Sequence, residues 1–233
     1  MNEIDKLEEI SRNFGYSNGV MAASIGCCFK VLSRHLKGTS VLELGPAEGV
    51  MTDLLVRSGY TITVVEGSQM FCESLKKRLP EIQVFHDLFE TFHPATRFDT
   101  IILGHVLEHV ADPVGLLKRV KSWLCPDGRI FCAVPNANSI HRQAAVLMGL
   151  LEAETSLNDS DLQHGHRRVF SPQQLKSTFI EAGLLVELFG GYWLKPLSNG
   201  QIQSNWTQPM IDAFMILGEK YPEIAGEIYI VAK

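Results

Sequence analysis

Acids and glycines at fixed intervals give the first chemical signal in this chain. The stretch VLELGPAEG, residues 41–49, runs from aliphatic residues into a turn carrying Gly45, Pro46, Ala47 and Gly49, with Glu43 just ahead of the first glycine. A turn of this kind lets a ligand approach the backbone where Cβ atoms would block it. Glu66 closes the next aliphatic run, followed by Gly67 and Ser68. It lies about twenty residues beyond Gly45, where an acid can accept hydrogen bonds from both hydroxyls of a ribose. Asp87 ends a third run, ahead of Leu88 and Phe89, where an acid can accept from an adenine amino group. No Lys-Ser/Thr pair follows Gly49, which excludes a Walker-type phosphate loop. Glu43 also argues against a pyrophosphate: an anion gains little beside a carboxylate, whereas a ligand bearing an ammonium and a sulfonium gains from one. The combination describes a site for S-adenosylmethionine.

The elements that must position these residues alternate along the chain. Strand-like runs at 39–45, 60–67, 82–87, 98–104 and 128–136 are separated by segments of helical spacing. Ser68 is placed to cap one helix, and Asp112 with Pro113 to open another whose Val114, Leu117, Val120 and Leu124 share a face. Buried runs alternating with helices predict a doubly wound α/β core with a parallel sheet. Ser171 and Gln174 form a capping box, with Pro172 in the first turn and Gly183 as the stop. Two further strands are expected at 184–191 and 227–233, with a helix within 209–221 between them. The chain is expected to form a single domain over 1–233, with a helical lid at 1–37, a cofactor-binding core at 38–137, and an acceptor-side excursion with the C-terminal strands at 138–233.

These motifs resemble the class I S-adenosylmethionine-dependent methyltransferases over about residues 38–190. Glu43-x-Gly45-x-Ala47-x-Gly49 looks like their first motif, with Ala47 at the middle position and Pro46 tightening the loop. VVEGS (64–68), HDLF (86–89), FDTIILGHVLEHVADP (98–113) and PDGRIFCAVPN (126–136) match the later motifs in order. LEHVADP and HRRVFSPQQLKSTFIEAGL look most like the branch of ubiquinone-biosynthesis O-methyltransferases and sugar and natural-product methyltransferases. The resemblance implies a Rossmann-like seven-stranded sheet of order 3-2-1-4-5-7-6 with strand 7 antiparallel. It also implies that Glu43, Gly45, Pro46, Ala47, Gly49, Glu66, Gly67, Ser68, Asp87, Leu88, Phe89 and His105 face the cofactor.

Methyl transfer is an in-line displacement at a sulfonium carbon, and the acceptor must be aligned and usually deprotonated. His105, just past the fourth strand, is a candidate base or acceptor ligand, with packing against the cofactor as the alternative. His109 would share its face on a helix, and His166 aligns with a histidine common before the F-S/T-P helix start of the branch. His166 can equally be a loop histidine bonded to backbone. Arg142, Arg167 and Arg168 are candidates for an acidic group on the acceptor. Asn136, Asn138, His141, Trp193 and Tyr16 complete the expected substrate-binding set, while His86 and His93 are read as non-functional. Metal-dependent transfer calls for clustered acids, and none is evident, so no metal is expected.

Composition narrows the partners. A net charge of −5 gives no overall basic field, so nucleic acid is not expected. No apolar run approaches the ~20 residues of a membrane span, and the charged N-terminus is unlike a signal peptide. A cytoplasmic protein, monomeric or homodimeric, is expected. Its five scattered cysteines suggest neither disulfides nor a zinc site. The leading expectation is methyl transfer to a small molecule, oxygen preferred over nitrogen. The alternatives are an N-methyltransferase and a non-catalytic cofactor-binding regulatory or partner subunit.

Overall fold

In the computed structural model, residues 3–13, 15 and 17–233 are described. Two helices come first, α1 (Glu3–Asn13) and α2 (Gly19–Leu32). The alternating core follows as β1 (Ser40–Leu44), α3 (Val50–Arg57), β2 (Thr61–Glu66), α4 (Gln69–Arg78), β3 (Gln83–His86), β4 (Phe98–Gly104), α5 (Pro113–Ser122) and β5 (Leu124–Pro135). The excursion carries α6 (Ile140–Leu147) and α7 (Asp159–Gln163), and α8 (Pro172–Glu181) leads to β6 (Val186–Tyr192). Helices α9 (Asn199–Asn205) and α10 (Gln208–Leu217) precede β7 (Glu227–Ala232).

The seven strands form one sheet of order 3-2-1-4-5-7-6. β1 to β5 pair in parallel, and β7 runs antiparallel to both β5 and β6. Strand alternation sends successive side chains to opposite faces. Leu42, Leu44, Ile101, Leu103, Ile130 and Cys132 therefore pack with α5 and α8, while Val41, Val64, Ile102, Phe131 and Val231 pack with α2, α3 and α10. At about 1.5–3 kcal/mol for each fully buried large aliphatic side chain, these two layers are the main source of stability. Four of the five cysteines are buried free thiols; Cys125 is partly exposed.

Local signals act as the sequence predicts at several helix starts. Ser68 Oγ accepts from Phe71 N, Asp112 accepts from Gly115 N, and Ser171 with Gln174 closes a reciprocal capping box. Three departures stand out. β5 begins at Leu124 rather than 128, because it pairs with Phe98 before a register shift. Helices α7 and α9 are absent from the sequence expectation; each is short, polar and opened by an Asn or Ser capping box, so it carries no apolar periodicity to detect.

The N-terminal segment lies against the glycine turn. α1 packs on α4, the Leu7 side chain lies over Gly67, and Glu8 accepts from Gln69 N. Ser17 donates to Glu48 twice, from its backbone N at 2.7 Å and from its hydroxyl at 3.1 Å. Tyr16, an expected acceptor-side residue, lies outside the described residues.

Candidate active site

The turn after β1 has alternate residues in the left-handed region: Gly45 at φ 63°, Ala47 at 48° and Gly49 at 78°. Gly49 has a second reason to be glycine, because a Cβ there would run into the Leu75 side chain. Ala47 tolerates the conformation at a cost of roughly 1–2 kcal/mol. Its N–H then donates at 3.1 Å to Glu66 Oε2, while Ser68 N donates at 2.8 Å to Glu66 Oε1. The carboxylate that ends β2 is thus oriented by both turns, 6% exposed, with Gly67 covered by Leu7.

Glu43 is buried inside β1 and accepts from Thr52 Oγ1 at 2.7 Å. Burial pushes its pKa up to about 7, against the opposing Thr52 hydrogen bond. Asp87 Oδ1 accepts from Leu88 N at 2.8 Å and from Thr91 Oγ1 at 2.5 Å, which fixes the turn after β3. Phe89 and Val106 lie where a side chain on Gly45 would reach, so they wall the turn. His86 contacts the Gly67 carbonyl through Nε2 at 3.1 Å.

Glu43 gives a pH-dependent prediction. A carboxyl whose pKa is raised on folding is protonated preferentially in the native state, so its contribution to stability is largest below the unfolded value near 4.5 and is lost as pH rises to about 7. Glu43→Gln is expected to flatten that part of the profile, by on the order of 3 kcal/mol between pH 5 and 8. Urea unfolding of the two proteins across that range measures the difference; equal slopes would contradict it.

At the carboxyl ends of β4 and β5 a dense set of ionisable groups collects. His105 sits at φ 57°, its N–H bonded to Ala133 O, with its ring between two carboxylates. Nδ1 lies 3.2 Å from Glu108 Oε1 and Nε2 lies 3.6 Å from Glu227 Oε2. Burial disfavours the imidazolium, but Glu227 and then Glu108 outweigh it and hold the pKa near 9. A pKa near 9 favours the imidazolium at neutral pH, which suits the expected role of acceptor ligand better than that of base.

His109 has the opposite character. Burial drives its pKa down to about 4, and a ring nitrogen donates to the Gly165 carbonyl. Its ring meets His166 edge-on, with centroids 4.8 Å apart. His166 Nδ1 lies 3.1 Å from Asp161 Oδ1. Burial opposes ionisation of Asp161, yet His166, the Asn158 N–H and Arg142 together hold its pKa well below the usual carboxylate range. Asp161 is thus held as an anion with His166 Nδ1 against one of its oxygens. Glu108, His109 and His166 also bring ligand-type atoms within 4.8 Å of one another. The group mixes one carboxylate with two imidazoles from separate loops, a combination that no spacing in the sequence announces.

The arginines are engaged otherwise than the sequence suggested. Arg142 is buried and binds Asp161 at 3.1 Å, the Glu154 carbonyl at 2.7 Å and the Ser156 carbonyl. Arg168 binds the carbonyls of Leu107, Val110 and Ala111, and Arg167 Nε binds His109 O at 2.7 Å. These guanidiniums pin the excursion and the loop after β4 to the body of the protein. Asn136 likewise bonds the carbonyls of Glu223 and Ala225 and accepts from Asn138 N. His141 keeps a buried Nδ1 without a partner, as does the indole nitrogen of Trp193, a fully buried residue at φ 61°.

The fold and the turn fit S-adenosylmethionine: Gly45 holds the left-handed turn between Phe89 and Val106, Glu66 is fixed by backbone donors from both turns, and Glu43 lies buried in the strand that leads into the first turn. The sequence profile of the family described as Methyltransferase domain matches residues 20–188. The ubiquinone biosynthesis O-methyltransferase of Aeromonas salmonicida is 28% identical over 174 residues, covering 72% of this chain and 71% of that protein. Its Coxiella burnetii counterpart is 27% identical over 170 residues, covering 70% and 71%. Among solved structures, a methyltransferase of Thermotoga maritima, described as a possible histamine N-methyltransferase, superposes with a TM-score of 0.68 at 17% identity, covering 97% and 99% of the two chains. The glycopeptide N-methyltransferase MtfA bound to S-adenosylmethionine superposes with 0.59 at 16% identity, covering 93% and 87%. Sheet order, glycine turn and oriented acids agree with that match, and the chain belongs to the methyltransferase-domain family as a class I S-adenosylmethionine-dependent methyltransferase.

Proposed function

We propose that the protein methylates a hydroxyl oxygen of a small molecule, with His166 as the general base. The observation that supports this reading is the Asp161–His166 contact of 3.1 Å, the carboxylate–imidazole pairing that orients a histidine base when Nδ1 donates and Nε2 accepts. The cofactor supplies the electrophilic methyl group on its sulfonium. Glu66 binds the ribose hydroxyls, Asp87 the adenine amino group, Glu43 balances the cationic end, and Gly45 to Gly49 with Gly67, Ser68, Leu88 and Phe89 shape the cleft. His105, held as a cation, donates to an oxygen of the acceptor, and His109 supports the His166 ring. Asn138, His141 and Trp193 line the acceptor side, and the N-terminal helices α1 and α2 act as a lid. The O-methyltransferase relatives support oxygen as the acceptor atom.

Glu66→Ala is expected to weaken S-adenosylhomocysteine binding by roughly 10- to 100-fold, the loss of hydrogen bonds to a buried charge. Calorimetric titration of the two proteins, with unfolding temperatures compared as a control, decides it. Unchanged affinity would remove Glu66 from the cofactor site. Release of S-adenosylhomocysteine with hydroxyl-bearing acceptors, and its absence with their methyl ethers, tests the choice of oxygen.

One observation favours a second reading. Glu108, His109 and His166 are spaced as a divalent cation would accept, and a bound cation could lower the pKa of the acceptor hydroxyl in place of a base. In that case chelation would abolish turnover and added magnesium or zinc would restore it.

A further inference from the structure

With the excursion's arginines tied to backbone, the buried polar atoms left without hydrogen-bond partners at the carboxyl edge of the sheet are mostly hydrogen-bond acceptors. Among the described residues they include Glu227 Oε2, Glu108 Oε2, Ser139 Oγ and His141 Nδ1, beside the donor Trp193 Nε1, while Glu108 Oε1 faces His105 Nδ1. Burial, then Lys195 and Arg142, bring the His141 pKa down to about 3, and its other ring nitrogen donates to the Lys195 carbonyl. Nδ1 is therefore a lone pair.

Glu227 is the outlier of the group. It opens β7, whose remaining residues are Ile228, Tyr229, Ile230, Val231 and Ala232, all apolar or aromatic. Antiparallel pairing opposite Pro135 and Tyr192 puts the first residue of this strand at the edge where its parallel neighbours end. Glu227 is 8% exposed, and Oε2 stands 3.6 Å from His105 Nε2, beyond hydrogen-bond length. A buried carboxylate oxygen without a hydrogen bond is costly, and native proteins keep few of them unless a ligand or water completes the site. Lys195 approaches the same region, its ammonium 5.1 Å from the Trp193 ring centroid, and burial lowers its pKa against the opposing pull of Glu227 and Asp161.

We propose that Glu227 binds the methyl acceptor directly and selects molecules bringing a hydrogen-bond donor, a hydroxyl or an ammonium, over those bringing a carboxylate or phosphate. This rests on the small-molecule methyltransferase reading above. It reverses the acceptor chemistry that the Arg167-Arg168 pair suggests from sequence.

The test is equilibrium binding to protein saturated with S-adenosylhomocysteine, using two matched sets. Tyramine, tyrosol and 4-hydroxyphenylacetate share a phenol and differ in their ammonium, hydroxyl or carboxylate end; 3-amino-1,2-propanediol, glycerol and glycerate do the same on an aliphatic chain. In at least one set the ammonium or hydroxyl member is expected to bind tenfold or more tightly than the carboxylate member. Glu227→Gln should erase that preference, and Glu227→Asp should retain it with weaker binding. S-adenosylhomocysteine affinity and circular dichroism, unchanged in both variants, exclude misfolding. Equal or tighter binding of the carboxylate member, a preference that survives Glu227→Gln, or no binding by any member of either set would overturn the proposal. Methylation of a carboxylate member would overturn it while leaving the methyltransferase reading intact, whereas failure to bind S-adenosylhomocysteine would remove both.

Discussion

Replacing His166 by alanine is expected to lower kcat by about 10²- to 10⁴-fold, the range a general base supplies, while S-adenosylhomocysteine affinity stays as it is. The two effects separate because His166 belongs to the loop between α7 and α8, whereas Glu66 and the glycine turn belong to the β1–β2 unit. Asp161→Asn should lower kcat in the same direction but less, since the amide can still orient the ring through Nδ1 while losing the anion that favours the imidazolium formed on proton transfer. Steady-state kinetics in the presence of EDTA, with calorimetry beside it, measures all of this. A His166→Ala enzyme of normal kcat would end the assignment of this base, and a wild-type enzyme silenced by EDTA would turn attention to the cluster of Glu108, His109 and His166.

Arg142→Met carries the largest expected effect on stability, a loss of about 3–5 kcal/mol. The guanidinium is buried, ties Asp161 to α6 and closes on the Glu154 and Ser156 carbonyls, so truncation strands a buried anion and two carbonyls together. Urea unfolding gives the magnitude, and hydrogen exchange should show the amides of 153–163 exposed first. A loss below about 1 kcal/mol would place Arg142 among ordinary surface pairs. The variant should also slow catalysis, because Asp161 is shared by Arg142 and His166.

The cofactor half was legible because its residues obey local rules. Gly45, Ala47 and Gly49 need left-handed backbone, Glu66 and Asp87 close aliphatic runs, and Ser68 and Asp112 cap the helices that follow. Each of these signals lies within one strand-turn-helix unit. The acceptor half depends on contacts across long sequence distances. Whether Arg168 faces a ligand or the carbonyls of 107–111 depends on how the loop after β4 folds, and no periodicity encodes that. His105 illustrates the same limit: its type and position suggest a base, yet a carboxylate more than a hundred residues away, Glu227, holds it as a cation. Glu227 itself carries one readable signal, a lone acid opening an otherwise apolar strand.

The direction of β7 bears on how the protein matures. Wedged between β5 and β6, that strand must arrive before either neighbour completes its hydrogen-bond ladder, and it brings Glu227 to the site in the same movement. The glycine turn and Glu66 need only the β1 to β4 half, whose pairings are closer in sequence than the pairing of β5 with β7. Because long-range pairings form late, a folding intermediate with the first half assembled would have its cofactor cleft shaped while its acceptor cleft was still missing a wall. Recovery of cofactor affinity during refolding would then run ahead of recovery of turnover, and the lag between them would time the insertion of the last strand.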